Sequence, residues 1–78
     1  MQLIIADPDR TIFESEASLI QLPGTDGWFE VLENHAPLIA LLKKGTVRVV
    51  DAGGQEKKVD IEGGIFSMAE NTCRIAIF

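Results

Sequence analysis

A chain of 78 residues holds one domain and no more, and at this size only about 60% of the unfolded chain's surface is buried, so the core is thin. At 46% hydrophobic and 24% charged, the composition is that of a folded chain rather than a disordered one. The net charge of -5, from 7 basic and 12 acidic residues, disfavours nucleic acid and anionic lipid as partners, and a single cysteine excludes an intrachain disulfide.

In chain order, the opening Met-Gln-Leu-Ile-Ile-Ala-Asp-Pro is not a secretory signal, because it lacks a basic start and its apolar run ends after a few residues. Ile4-Ile5 is apolar on both faces of an expected strand, and Asp7-Pro8-Asp9 is a turn. Leu19-Ile20 is again apolar on both faces, and Pro23 to Gly27 is a second turn. Phe29 and Val31 then alternate with Trp28 and Glu30; if the first pair is core, Trp28 points outward. Glu33-Asn34 breaks the chain before His35. From Ala36 to Leu42 every residue is apolar or proline. Two readings stay open for that run: a central strand covered on both sides, or a strand whose second face waits for a partner.

Lys43-Lys44-Gly45 is the next expected break. Val47 and Val49 then share one face, with Thr46 and Arg48 on the other. Asp51-Ala52-Gly53-Gly54 is a hairpin loop, after which Val59 and Ile61 alternate with Lys58 and Asp60. Glu62-Gly63-Gly64 and Glu70-Asn71 are further breaks, and Cys73, Ile75 and Ile77 share the last inward face. Breaks every ~8–12 residues between strand-length runs predict an all-β sandwich, here of about nine or ten short strands in two packed sheets. No run approaches the ~18 apolar residues of a membrane span.

Chemistry is not visible. His35 is the one histidine, and no Ser or Cys stands in a motif that would make it a general base. One His and one Cys do not build a zinc site. Gly63-Gly64 precedes a strand, not a helix, so it is not a phosphate loop. Catalytic, cofactor and metal sites are therefore not expected. His35 reads either as a loop residue donating to a backbone carbonyl or as a partner contact.

The stretch Leu22-Pro23-Gly24-Thr25-Asp26-Gly27-Trp28-Phe29-Glu30-Val31-Leu32-Glu33-Asn34-His35-Ala36-Pro37-Leu38-Ile39 resembles the epsilon family of F-type ATP synthases, in which a glycine-rich turn, a hydrophobic strand and a His-Ala-Pro-Leu segment follow in order. Lys44 to Val49, Glu62 to Phe66 and Asn71 to Ile75 are similar to the family's later strands, so the resemblance covers essentially the whole chain. It implies one domain over residues 1–78: a flattened β-sandwich of two roughly five-stranded, mostly antiparallel sheets. It implies a non-catalytic subunit of the central stalk, peripheral on the cytoplasmic face of a bacterial inner membrane. There it binds the gamma subunit and the polar loops of the c-ring, and takes part in coupling ion flow to ATP synthesis. By resemblance, the gamma-facing residues are Asp7, Ile12, Phe13, His35, Ala36, Pro37 and Ala40, with Ala40 facing outward. The c-ring-facing loop is Gly24, Thr25, Asp26, Gly27 and Trp28. Neither nucleic acid nor direct lipid insertion is expected. The chain ends at Phe78, where the family would enter a helical pair that can inhibit ATP hydrolysis. The starting Met fits a short complete chain, and a trimmed longer chain is the alternative.

Two rivals come from other classes. A biotinyl or lipoyl carrier needs a lysine at a hairpin tip in a defined setting, which Lys57-Lys58 lacks. A nucleic-acid-binding barrel needs stacking aromatics, and only 6% of this chain is aromatic.

Overall fold

The alternating runs become seven strands in the computed structural model, which describes all 78 residues. These are β1 (Gln2–Ala6), β2 (Thr11–Glu16), β3 (Leu19–Gly24), β4 (Gly27–Leu32), β5 (Leu38–Val50), β6 (Glu56–Ala69) and β7 (Thr72–Ile77). They form one continuous hydrogen-bonded sheet in the order β2-β1-β7-β6-β5-β3-β4. Every ladder is antiparallel except β1–β7, which is parallel.

The connected sheet differs from the two separate sheets expected, and the reason lies in β5 and β6. These strands pair over 12 positions from Leu38↔Met68 to Val50↔Glu56. Lys43-Lys44-Gly45 and Glu62-Gly63-Gly64, expected as turns, lie opposite one another in the middle of this ladder and form a corner. On β5 the buried side is even-numbered at Leu42 and odd-numbered at Val47 and Val49. On β6 it is odd at Ile61 and even at Phe66 and Met68. A one-residue change of phase moves every later side chain to the opposite face. Counted as two halves each, the long strands turn seven strands into nine, so the all-β sandwich class stands and the strand count comes out slightly lower.

Two layers result. β2, β1, β7 and the halves of β6 and β5 near Phe66 and Ala40 make a five-membered layer. The other halves of β6 and β5, with β3 and β4, make a four-membered one. Leu3 and Ile5 of β1 share one buried cluster with Ile20 and Leu22 of β3, although three strands separate β1 from β3 in the sheet. A flat sheet could not bring them together. Phe66 is fully buried at the centre, with the edge of Phe29 against it at 5.8 Å between ring centroids. Each such fully buried large side chain stabilises the fold by roughly 1.5–3 kcal/mol.

Local chemistry closes the hairpins. The Asp51 carboxylate accepts from the amides of Gly53 and Gln55 at 2.9 Å, which shapes the β5–β6 loop. Glu70 and Asn71 both have positive φ, 51° and 59°, the requirement of a two-residue hairpin turn between β6 and β7. Asn71 Oδ1 also accepts from the Asn34 amide at 2.8 Å, pinning the β4–β5 loop to that turn.

Gly64 marks the corner's tightest point. A Cβ there would stand 2.7 Å from the Ala76 carbonyl oxygen, a backbone atom that cannot swing away. Gly64→Ala should lower stability by about 1–3 kcal/mol, while Gly53→Ala in the open hairpin loop should stay within about 0.5 kcal/mol. Urea midpoints of the two variants measure this, and equal midpoints would contradict the corner.

Candidate functional site: an uncovered apolar face

The two layers present different outer faces. On the four-membered layer, polar side chains are tied across the strands. Gln21 Nε2 donates to Glu30 at 3.0 Å, Arg48 donates to Gln21 Oε1 at 3.2 Å and pairs with Glu56 at 3.1 Å, and Lys58 reaches Glu56 at 3.5 Å. The hydrogen bond from Arg48, opposed by desolvation and reinforced by the charges of Arg48 and Lys58, holds the Glu56 carboxyl below the usual glutamate range.

The five-membered layer lacks such a net. The ladder registers align Ala6, Ala76, Ile65 and Leu41 in one row across β1, β7, β6 and β5. The neighbouring row is Ile4, Arg74, Ser67 and Ile39. Ile39 is 79% exposed and Leu41 52%. Ile12 on β2 and Phe78 beyond β7 are exposed at the margins. Beyond Leu41 lies the β3–β4 turn, whose Thr25 amide donates to the Leu41 carbonyl at 3.0 Å. Trp28, 61% exposed, shares a groove with Ile39, Ala40 and Leu41. Of the large hydrophobics left exposed, Ile12, Ile39, Leu41, Ile65 and Phe78 belong to this layer, while Leu32 and Trp28 stand on β4 of the other, where Trp28 also borders Gln21 and Glu30.

The residues expected at the gamma contact divide. Ile12 and Phe13 are on β2 at one edge of the layer, and Asp7 is in the turn before it, where its carboxylate caps the amides of Asp9 and Arg10. His35, Ala36 and Pro37 lie in the exposed loop entering β5, at the opposite edge. Four ladder spacings, about 19 Å, separate β2 from β5. Phe13 and Ala40 point toward the core: Phe13 lies opposite buried Ile5, and Ala40 opposite buried Phe66. The outward positions on β5 are therefore Ile39 and Leu41, not Ala40. Ile39, Leu41 and exposed Lys43 share this outward parity, but Lys44, equally exposed, has the other, so the sequence alone leaves the phase of the run open. His35 Nδ1 donates to the Ala36 carbonyl at 2.7 Å, as in the first of its two readings, and the ring remains exposed. Gly24 to Trp28 form a tight turn as expected, with Gly24 closing β3 and Gly27, at φ 128°, opening β4.

The ATP synthase delta/epsilon chain beta-sandwich domain is the family whose pattern matches residues 1–77. This chain belongs to that family. It is 39% identical over 70 residues to the ATP synthase epsilon chain of Chlorobium limicola, covering 90% of this chain and 80% of the relative. To that of Caulobacter vibrioides it is 46% identical over 57 residues, covering 73% of this chain and 65% of the relative. Among solved structures it is similar to a chain of the Euglena gracilis mitochondrial ATP synthase, OSCP/F1/c-ring in rotational state 1. That match has a TM-score of 0.88 and 23% identity, covering 96% of this chain and 48% of the other, and it shows the fold alone. This chain thus spans about half to two thirds of several proteins it resembles.

Within this family domain, burial pushes the Cys73 thiol up, so it stays protonated and packs beside Met1 Sδ at 3.7 Å. No group of three His, Cys, Asp or Glu is placed to hold a metal ion. Lys57 lies in β6 over the Phe13 ring at 6.0 Å and Lys58 is paired with Glu56, so neither is presented at a hairpin tip as a carrier lysine must be. No helix is long and apolar enough to cross a membrane.

The polar net makes a pH-dependent prediction. A carboxyl held low contributes stability above its ordinary pKa and loses it as pH falls through the lower folded value. Carboxyl NMR titration should place Glu56 below the ordinary glutamate value, and Arg48→Met should raise it. An unshifted Glu56 in the unaltered chain would contradict the geometry.

Proposed function

We propose that this chain is a non-catalytic central-stalk subunit of a bacterial F-type ATP synthase, with residues 1–78 acting as one domain. It docks on the gamma subunit, touches the polar loops of the c-ring, and links ion-driven rotation to ATP synthesis from the cytoplasmic face of the inner membrane. The observation that carries this reading is the apolar face of the five-membered layer, left uncovered in a domain of the ATP synthase delta/epsilon family. A peripheral partner fits it, and lipid insertion does not, because the chain is acidic.

Gamma covers the face in this proposal. Ile39, Leu41 and Ile65 form its centre, with Ile12 and Asp7 along one margin and His35, Ala36 and Pro37 along the other. Phe13 and Ala40 support it from the core side. The turn from Gly24 through Thr25, Asp26 and Gly27 to Trp28 adjoins Leu41 at the end of the sandwich and is the c-ring contact. Co-purification of the tagged chain from native membranes, with partners identified by mass, tests the assignment directly.

Leu41→Arg should separate docking from folding. It places an unmatched charge in the contact and should weaken gamma binding by at least about 2 kcal/mol, roughly 30-fold. The isolated chain should unfold within about 0.5 kcal/mol of the original, because the side chain is in water there. Trp28→Ala should leave soluble gamma binding nearly unchanged and loosen only the membrane-attached complex. Unaltered gamma binding by Leu41→Arg would remove gamma from this face.

A further inference from the structure

We infer that Arg74 is the polar anchor of the apolar face and receives a carboxylate from an otherwise apolar segment of the protein that covers it. Arg74 stands on β7, the middle strand of the five-membered layer, with Ile4 beside it on one ladder and Ser67 on the other. Along its own strand its neighbours on that face are Thr72 and Ala76. Its guanidinium makes no ion pair and no hydrogen bond within the chain, whereas Arg48, Lys58 and Lys44 all have carboxylates within 4.0 Å. Arg10, Lys43 and Lys57 also lack ion pairs, but Arg10 lies in a turn, Lys43 stands at the strand corner, and Lys57 lies over the Phe13 ring from the other half of β6. Arg74 is the cation set among the apolar rows.

The nearby acids do not serve it. Glu14 lies two strands away and is held by Gln2 Nε2 at 2.7 Å. Glu70 lines a shallow recess with Ser67, Ala69, Thr72 and Arg74, yet makes no ion pair. The Ser67 and Thr72 hydroxyls in that recess make no hydrogen bond within the chain, so two neutral donors stand beside the guanidinium. Exposed, this arrangement costs nothing. Covered by an apolar partner, an unmatched guanidinium would lose its water without compensation, so the partner must bring an acceptor. A guanidinium takes a carboxylate through two parallel N–H···O bonds. Phosphate is disfavoured: it brings no apolar atoms to cover Ile4, Ile39 and Ile65, and the net charge of -5 repels it.

This inference rests on the reading that a protein docks on this face, and one experiment keeps the two apart. The complex carrying Arg74→Lys is purified from native membranes and treated with a water-soluble carbodiimide, which joins an amine to an adjacent carboxylate as an amide. The expected product is a crosslink from position 74 to an Asp or Glu of gamma, mapped by mass. A crosslink to another subunit upholds the carboxylate and overturns docking on gamma. Gamma co-purifying without a crosslink from position 74, or with one only to Glu14 or Glu70, overturns the anchor and leaves the docking reading standing. Arg74→Gln provides an independent measure: affinity for gamma should fall at least about tenfold, and unchanged affinity overturns the anchor. Binding of the chain to anionic phospholipid vesicles that Arg74→Gln abolishes, with gamma affinity intact, overturns it in favour of a lipid phosphate.

Discussion

The fold depends on one constraint: the β5–β6 hairpin must serve both layers. A chain this short has too few residues for two independent sheets, so the longest ladder is shared and bent at its middle. The bend needs backbone approaching backbone. Gly64 lets β6 lie against the Ala76 carbonyl of β7, and Gly45 lets β5 lie against the Pro23 ring of β3, where a Cβ would stand 2.8 Å from the Pro23 Cβ. The change of phase at the corner then turns Val47, Val49 and Ile61 of one half toward Phe66, Met68 and Leu42 of the other. Without it, half of these would face water.

Sharing the hairpin also decides which surfaces remain bare. A sandwich has two inner faces and two outer faces, and the inner pair consumes most of the large apolar side chains. The outer face of the four-membered layer is occupied by linked polar groups. The outer face of the five-membered layer carries isoleucine and leucine that nothing in the chain covers. Each 100 Å² of apolar surface removed from water contributes about 2.5 kcal/mol, which makes that face the strongest source of association on the molecule.

Much of this was legible in the residues. The alternation at Val47 and Val49, at Val59 and Ile61, and from Cys73 to Ile77 gave the buried faces correctly, as did the outward Trp28. Asp51 to Gly54 and Glu70-Asn71 announced their hairpins because Asp, Gly and Asn have the side chains or the φ range that turns demand. The same vocabulary misled at Lys43-Lys44-Gly45 and Glu62-Gly63-Gly64. Glycine permits a turn and a close backbone approach equally, and only the ladder between the two segments separates the cases. The outward residues of β5 were missed for a related reason. A uniformly apolar run has no internal alternation, and its charged neighbours Lys43 and Lys44 have opposite parities, so only the pairing of Ala40 with buried Phe66 fixes the phase.

The edges and the face are treated in opposite ways, and this says how the domain associates. An open sheet has two edges that can pair with any other strand. Here the outermost strands are β2 and β4, which carry Glu14, Glu16 and Glu30, while β2 is further disturbed by a register shift opposite Ile5 and Ala6. The bent hairpin adds two half-strand edges: β6 before Gly64, which carries Glu56, Lys57 and Lys58, and the start of β5, where the Thr25 amide occupies the Leu41 carbonyl. Clustered carboxylates repel a second copy of the same acidic edge, and the shift spoils the ladder a new strand would extend. No comparable device protects Ile39, Leu41 and Ile65. Association is therefore directed away from backbone pairing, which accepts almost any strand, and toward side-chain packing, which demands a complementary shape. A domain whose one bare face is apolar and whose edges are charged is built for that division.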